Sequence, residues 1–197
     1  KWRHMGESGV VIYGTGDYTP KPDECYIKCL DESELLSQFL ADYRGGGDYP
    51  DIITGWNVQF YDIPYLVERM RLLFPEKTWM KLSPLNRIAD RTVILLGRSQ
   101  RVVDLRGVAI LDYLELYRKF TYIQAESYRL DNIAHIELKR RKVSYAEVGS
   151  LTRLYAENHQ KFIEYNVNDV QIVDELDAKL KLLDLVCILA YGAKANF

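Results

Sequence analysis

Cysteine is scarce: three thiols, Cys25, Cys29 and Cys187, occur in 197 residues. No secretory segment is legible ahead of them, so the expected setting is a reducing, cytoplasmic one. Cys25 and Cys29 lack a second pair at zinc-ligand spacing and read as ordinary packing thiols. Long apolar runs are also missing. The longest, residues 182–191, contains Asp184 and is too short to span a bilayer, so no membrane role is expected. Nor is there an excess of positive charge. Lys and Arg total 26 against 28 Asp and Glu, a formal net charge of −2. This excludes nucleic-acid binding by bulk charge alone; contact with DNA or RNA would need a local groove or metal ions. Internal repeats and low-complexity tracts are absent. With 48% hydrophobic residues, the chain has enough apolar material for a core and is not intrinsically disordered. Aromatics are plentiful: 15 Tyr, 6 Phe and 3 Trp.

The pattern along the chain alternates strands and helices, which defines an α/β class. Residues 9–14 read as a strand, and residues 15–24 as a turn. Gly14 and Gly16 do not open a dinucleotide fingerprint, because no third glycine or helix follows. Residues 25–30 read as a second strand. Asp31 and Glu34 have the spacing of a capping box ahead of the apolar face Leu35, Leu36, Phe39 and Leu40, and the triple glycine 45–47 ends that helix. Residues 51–55 read as a buried strand and a helix is predicted from Asp62, with Pro64 tolerated in its first turn. Residues 92–96 and 101–105 suggest a hairpin around 97–100. A strand over 108–111 leads into a helix over 113–120. A further helix is predicted over about 127–137, and one long or broken helix over about 157–191.

Several side chains could carry chemistry. Asp62 follows a strand and an aromatic link, residues 56–61, at the kind of strand end where α/β sheets bind ligands; it is either a functional acid or the cap of its helix. Asp169 lies four residues after Tyr165, so phenol and carboxylate share a helical face. A carboxylate beside the apolar residues around it is costly unless paired or metal-bound, so it is either a ligand or a plain surface acid. Asp112, at a strand-to-helix boundary, reads as a cap. His159 reads as structural, with proton transfer the alternative. The run Lys139-Arg140-Arg141-Lys142 reads as a solvated loop, with phosphate contact the alternative.

The segment Thr54-Gly55-Trp56-Asn57-Val58-Gln59-Phe60-Tyr61-Asp62-Ile63-Pro64-Tyr65 resembles the second exonuclease motif of family B DNA polymerases, an Asn, a spacer, an aromatic and an Asp. Tyr165-Asn166-Val167-Asn168-Asp169-Val170 resembles the third, Tyr-x-x-x-Asp. The blocks at 111–120 and 127–133 are similar to polymerases of the T-even-type bacteriophage kind. The resemblance implies a ribonuclease-H-like 3′–5′ exonuclease fold, a mixed sheet flanked by helices. It implies proofreading by two-metal hydrolysis at a primer 3′ end. Asp62 and Asp169 would bind Mg2+ or Mn2+, Tyr165 would help position the water, and Asn57, Phe60 and Tyr61 would lie near single-stranded DNA. The hairpin near residues 97–100 would correspond, more loosely, to a strand-separating element.

The family's first motif, Asp-x-Glu, does not occur in residues 1–50. The expectation is therefore one partial exonuclease domain over 1–197, lacking an N-terminal strand and the polymerase domain, with residues 1–8 disordered or derived from cloning. Such a chain would be a weak or inactive nuclease by itself. The alternative is a catalytically incomplete DNA-binding or scaffold piece of a split or truncated polymerase. Expected partners are a single-stranded DNA 3′ end, the rest of a polymerase, and a second copy paired through an exposed sheet edge.

Overall fold

A computed structural model describes residues 1–75, 77–95, 97–122, 124–140 and 150–195, apart from the side chains of 95 and 98. The chain divides into two compact units, Lys1–Phe39 with Ser127–Leu176, and Leu40–Glu126 with Asp177–Phe197. The strands form three small sheets among the described residues rather than one continuous mixed sheet.

In the first unit, β1 (Trp2–His4) runs antiparallel to β2 (Glu7–Gly14), and β2 runs parallel to β3 (Glu24–Lys28), so this sheet is itself mixed. Residues 1–8, expected to be disordered or derived from cloning, supply β1 and the start of β2. Met5 and Gly6 reverse the chain with φ of +47° and +88°. All three β1 residues are exposed, so no apolar alternation announces the strand. Helix α1 (Glu32–Arg44) opens with half of the expected box, Glu34 donating its N–H to Asp31 Oδ1 at 2.9 Å, while Glu34 Oε2 accepts the N–H of Leu30, one residue before the cap, at 2.6 Å.

The remaining helices of this unit are α4 (Leu130–Leu138), α5 (Leu151–Glu157) and most of α6 (His159–Leu180). Helix α4 starts three residues later than expected, because Arg129 is still extended. Helix α5 was not evident from periodicity; Ser150 caps it by accepting from Arg153 N–H. The long helix is broken. Lys181 adopts a left-handed conformation (φ 54°), and α7 (Leu182–Ala193) restarts where Asp177 Oδ1 accepts Leu183 N–H. Among the described residues no helix is long and apolar enough to cross a membrane.

The second unit carries β4 (Ile52–Gly55) beside β7 (Ala109–Asp112), parallel, with Gly55 opposite Asp112. Strand β4 is half-buried rather than buried. Each strand feeds a helix: β4 leads through residues 56–61 to α2 (Asp62–Leu73), and β7 runs straight into α3 (Tyr113–Phe120). The hairpin is longer than predicted and turns earlier. Strand β5 (Ile88–Leu95) pairs with β6 (Arg98–Leu105), and Gly97 in the turn has φ +74°. Val67, Met70, Val102, Val103, Tyr113 and Tyr117 are completely buried here. The buried apolar side chains of α2 include Ile63, Val67 and Met70, while Leu66 and Leu73 are half-buried.

Glycine 16 is held by packing, not by backbone conformation. A methyl group there would stand 2.5 Å from Cδ2 of His159. That ring is wedged between Tyr155 and Phe162, with centroids 5.1 and 6.2 Å away, so it has little room to yield. Gly16→Ala is therefore expected to destabilise the chain by about 1–3 kcal/mol, read as a lower urea midpoint at unchanged slope.

Candidate functional site

The link between β4 and α2 is organised by one carboxylate. Asp112 is 3% exposed. Its Oδ1 accepts the N–H groups of Asn57 and Leu114, and its Oδ2 accepts that of Gln59, each at 3.0 Å. The Leu114 bond is the expected helix cap. The other two bonds reach back to the link 56–61 and were not foreseen. The register offered a signal: Gly55 opposite Asp112 means the two strands end level, so a side chain at 112 stands beside the residues following 55. Burial pushes the Asp112 carboxyl above its ordinary range, and the three amide donors offset part of that rise.

The link turns on Asn57, whose φ is +68°. Asn57 C=O accepts from both Phe60 N–H and Tyr61 N–H, at 3.3 and 3.1 Å. Val58 is buried and lies against Gly55, where a Cβ would meet the Val58 Cβ at 3.2 Å. Asn57 and Phe60 are half-buried, whereas Tyr61 is 65% exposed. Tyr61 lies parallel to Tyr65, interplanar angle 4° and centroids 6.3 Å apart, and Tyr65 is itself 58% exposed. Two exposed, parallel aromatic rings on the first turn of a helix form a surface on which bases can stack. Tyr65 was not singled out from the sequence.

Asp62 opens α2, and its side chain reaches solvent. The protein mass on its inner side raises its carboxyl above the ordinary range, and the Asp112 charge adds to the rise; a hydrogen bond to its own backbone opposes both. Asp62 thus sits where additional positive charge would be favourable.

Farther along α2 the charges are paired. Arg71 reaches Glu68 and Asp90 at 2.8 Å each, and Arg101 reaches the same two acids at 2.6 and 2.7 Å. Arg71 also lies 4.2 Å above the Trp79 ring. This four-membered network fastens the hairpin to α2. The Arg101 bond leads in holding Glu68 below its usual range. Burial pushes Asp90 up, but the two guanidiniums outweigh it and leave it lowered.

In the first unit, Tyr165 is buried on α6, as are Ile163 and Val167. Asp169 is half-buried one turn later, with its Oδ1 closed off from solvent. His159 serves packing, as read: its ring lies against Tyr155, Phe162 and Gly16, and α6 begins instead with Asn158 Oδ1 accepting Lys161 N–H. Of the basic run, Arg140 pairs with Glu175 and donates to the buried Asn168, so its charge is spent within the fold. Lys139 closes α4, and residues 141 and 142 lie outside the described residues.

An acid-tipped helix preceded by an ordered, aromatic-bearing link is thus set on an α/β scaffold. Residues 7–133 match the model of the family described as DNA polymerase family B, exonuclease domain. The chain belongs to this family, and its fold class is the ribonuclease-H-like one. It is 36% identical over 169 residues to the DNA-directed DNA polymerase of Escherichia phage RB69, covering 86% of this chain and 18% of that protein. Its identity to the DNA-directed DNA polymerase of Enterobacteria phage T4 is 35% over 172 residues, 87% of this chain and 19% of the relative. Against the DNA polymerase delta catalytic subunit of Caenorhabditis elegans it is 26% over 194 residues, 92% of this chain and 17% of the relative. The chain thus spans about a fifth of the length of these relatives. The family match takes in the 54–65 block and ends before Tyr165 and Asp169.

The hairpin network carries a pH signature. Because Glu68 and Asp90 are lowered in the folded state, the stability they contribute is present above their ordinary values of 4.5 and 3.8 and is lost as pH falls through the lowered ones. Arg101→Ala should cost about 1 kcal/mol at pH 7. The gap to wild type should close below about pH 4 and in roughly 1 M salt, measured by urea unfolding across a pH and salt series.

Proposed function

We propose that this chain is the proofreading 3′–5′ exonuclease module of a replicative DNA polymerase, hydrolysing the terminal nucleotide from the 3′ end of a mispaired primer strand. The observation that carries the reading is the 54–65 block. It lies inside the family match and presents Asp62 beside two exposed, parallel tyrosines on an ordered link. In this reading Asn57, Phe60 and Tyr61 contact the DNA strand. Asp62 and Asp169 are metal ligands, and Tyr165 hydrogen-bonds the attacking water. Recognition runs through backbone and stacking, so no base-sequence preference is expected. The rest of a polymerase is the natural partner, in the cytoplasm of a host cell if the source is viral. A second copy pairing at a sheet edge is a further partner of this reading.

The fit to Mg2+ or Mn2+ is good in kind and short in number. Carboxylate oxygens are the donors these cations prefer, and the raised carboxyl of Asp62 marks a place where a cation would relieve charge. Yet among the described residues no three or more His, Cys, Asp or Glu side chains gather as a metal-binding group. Bound cations would supply Lewis-acid stabilisation of the phosphodiester. The chain's own part is to hold the strand end and to present its acids. The shortfall in donors favours a second reading beside the first: a catalytically incomplete module that binds single-stranded DNA.

Release of mononucleotides from 5′-labelled single-stranded DNA with Mg2+ or Mn2+ separates the two. The 197-residue chain is expected to bind the DNA and to cleave it slowly or not at all, and any cleavage should fall at least about tenfold in Asp62→Ala and Asp169→Ala. Robust turnover abolished by Asp62→Ala would remove the incomplete-module reading. Turnover indifferent to both substitutions would remove the two acids from the site.

A further inference from the structure

Asp112 does more than a helix cap requires. A cap needs one bond, to Leu114 N–H, and a serine would serve. The other two bonds tie the amides of Asn57 and Gln59, residues 55 and 53 positions away in sequence, to the start of α3. Both carboxylate oxygens are thereby used, and the group is all but sealed from water. The link it holds is the one whose next bonds, from Phe60 and Tyr61 to the Asn57 carbonyl, set the approach to Asp62 and the exposed tyrosines. Without the carboxylate, the amides of 57 and 59 would lose their acceptor beside the buried Val58. The link would then have to find another conformation.

We infer that Asp112 is a positioning residue for single-stranded DNA: without touching the strand, it sets the geometry of residues 57–61 that grip it. The inference rests on the DNA reading proposed above and adds a residue to it. The acid acts through two backbone amides, so the residues that meet DNA can vary in side chain while their placement depends on position 112. It also makes the two roles of Asp112 separable. Helix capping needs a short acceptor next to Leu114. Positioning needs an acceptor long enough, and with oxygens enough, to span to 57 and 59.

Asp112→Ser is the separating variant, since serine caps a helix well but is too short to serve both link amides. Asp112→Asn, which keeps the shape but turns one acceptor into a donor facing the Gln59 N–H, is the second variant should serine prevent folding. Three quantities are read on the 197-residue chain: thermal unfolding, amide hydrogen exchange, and anisotropy of fluorescein-labelled oligo-dT in EDTA. Expected for either folded variant is exchange at 57 and 59 faster by about tenfold relative to amides of β5 and β6. Oligo-dT binding should be weaker by about fivefold or more. Adding Asn57→Ala to the variant should cost less than about twofold further, although the same change in wild type costs clearly more, because both act through one segment. A serine variant that binds oligo-dT like wild type would reduce Asp112 to a cap. Weakened binding with unchanged exchange at 57 and 59 would equally overturn the inference. A wild-type chain that binds no oligo-dT would overturn the DNA reading itself, and this inference with it.

Discussion

A buried carboxylate is among the most expensive groups a fold can contain, and the second unit is arranged around satisfying one. Nearly water-free, an ionised carboxylate at position 112 would cost several kcal/mol if it lacked partners. Three backbone amides from two separate segments make it tolerable, and they also make it informative. The same bonds that stabilise the charge bring the end of β4, the link 56–61 and the first turn of α3 into one arrangement. Asn57 takes up a left-handed conformation within it, its carbonyl gathers Phe60 and Tyr61, and α2 starts with Asp62 facing solvent. A requirement of electrostatics thus becomes a requirement of geometry at the place where the chain can meet a substrate.

The charge pattern along α2 follows a complementary logic. At its N-terminus Asp62 is left with only its own backbone to oppose burial and the neighbouring Asp112 charge, so its carboxyl rises. Near its C-terminal end, Glu68 and Arg71 are tied into an alternating network with Asp90 and Arg101. One end of the helix therefore carries a carboxyl raised mainly by burial, and the other is paired and fastened to the hairpin. A chain with a net charge of −2 cannot attract DNA by its overall field. In the proposed reading, local arrangement supplies what composition does not: an acid at which a cation would be favourable, beside aromatic faces on which bases can stack.

In the first unit, apparent functional signals resolve into packing. Gly14 and Gly16, whose spacing opens no dinucleotide fingerprint, are small because Tyr26 and His159 lie against them. His159 is the wall that Gly16 meets. Arg140, from a run of four basic residues, is committed to Glu175 and Asn168. These groups are small or polar for reasons internal to the fold.

The sequence by itself determined the α/β class, the existence and nearly all boundaries of α1, α2 and α3, and the cap of α1 at Asp31. All of these rest on local signals: apolar periodicity, cap residues and a triple glycine. It also carried the 54–65 block, because a motif is a pattern of neighbours. It did not carry β1, whose exposed residues show no alternation, nor the division into three small sheets, because pairing is a long-range choice. It left open whether the last helix is continuous or broken, and did not place the break at Lys181, where the backbone turns left-handed. Asp112 shows the limit most clearly. Its cap to Leu114 was legible two residues away, whereas its bonds to Asn57 and Gln59 arise only because β4 and β7 lie parallel and end level. Local bonding can be read from the order of residues. A carboxylate shared across more than fifty positions is decided by the fold that brings its partners together.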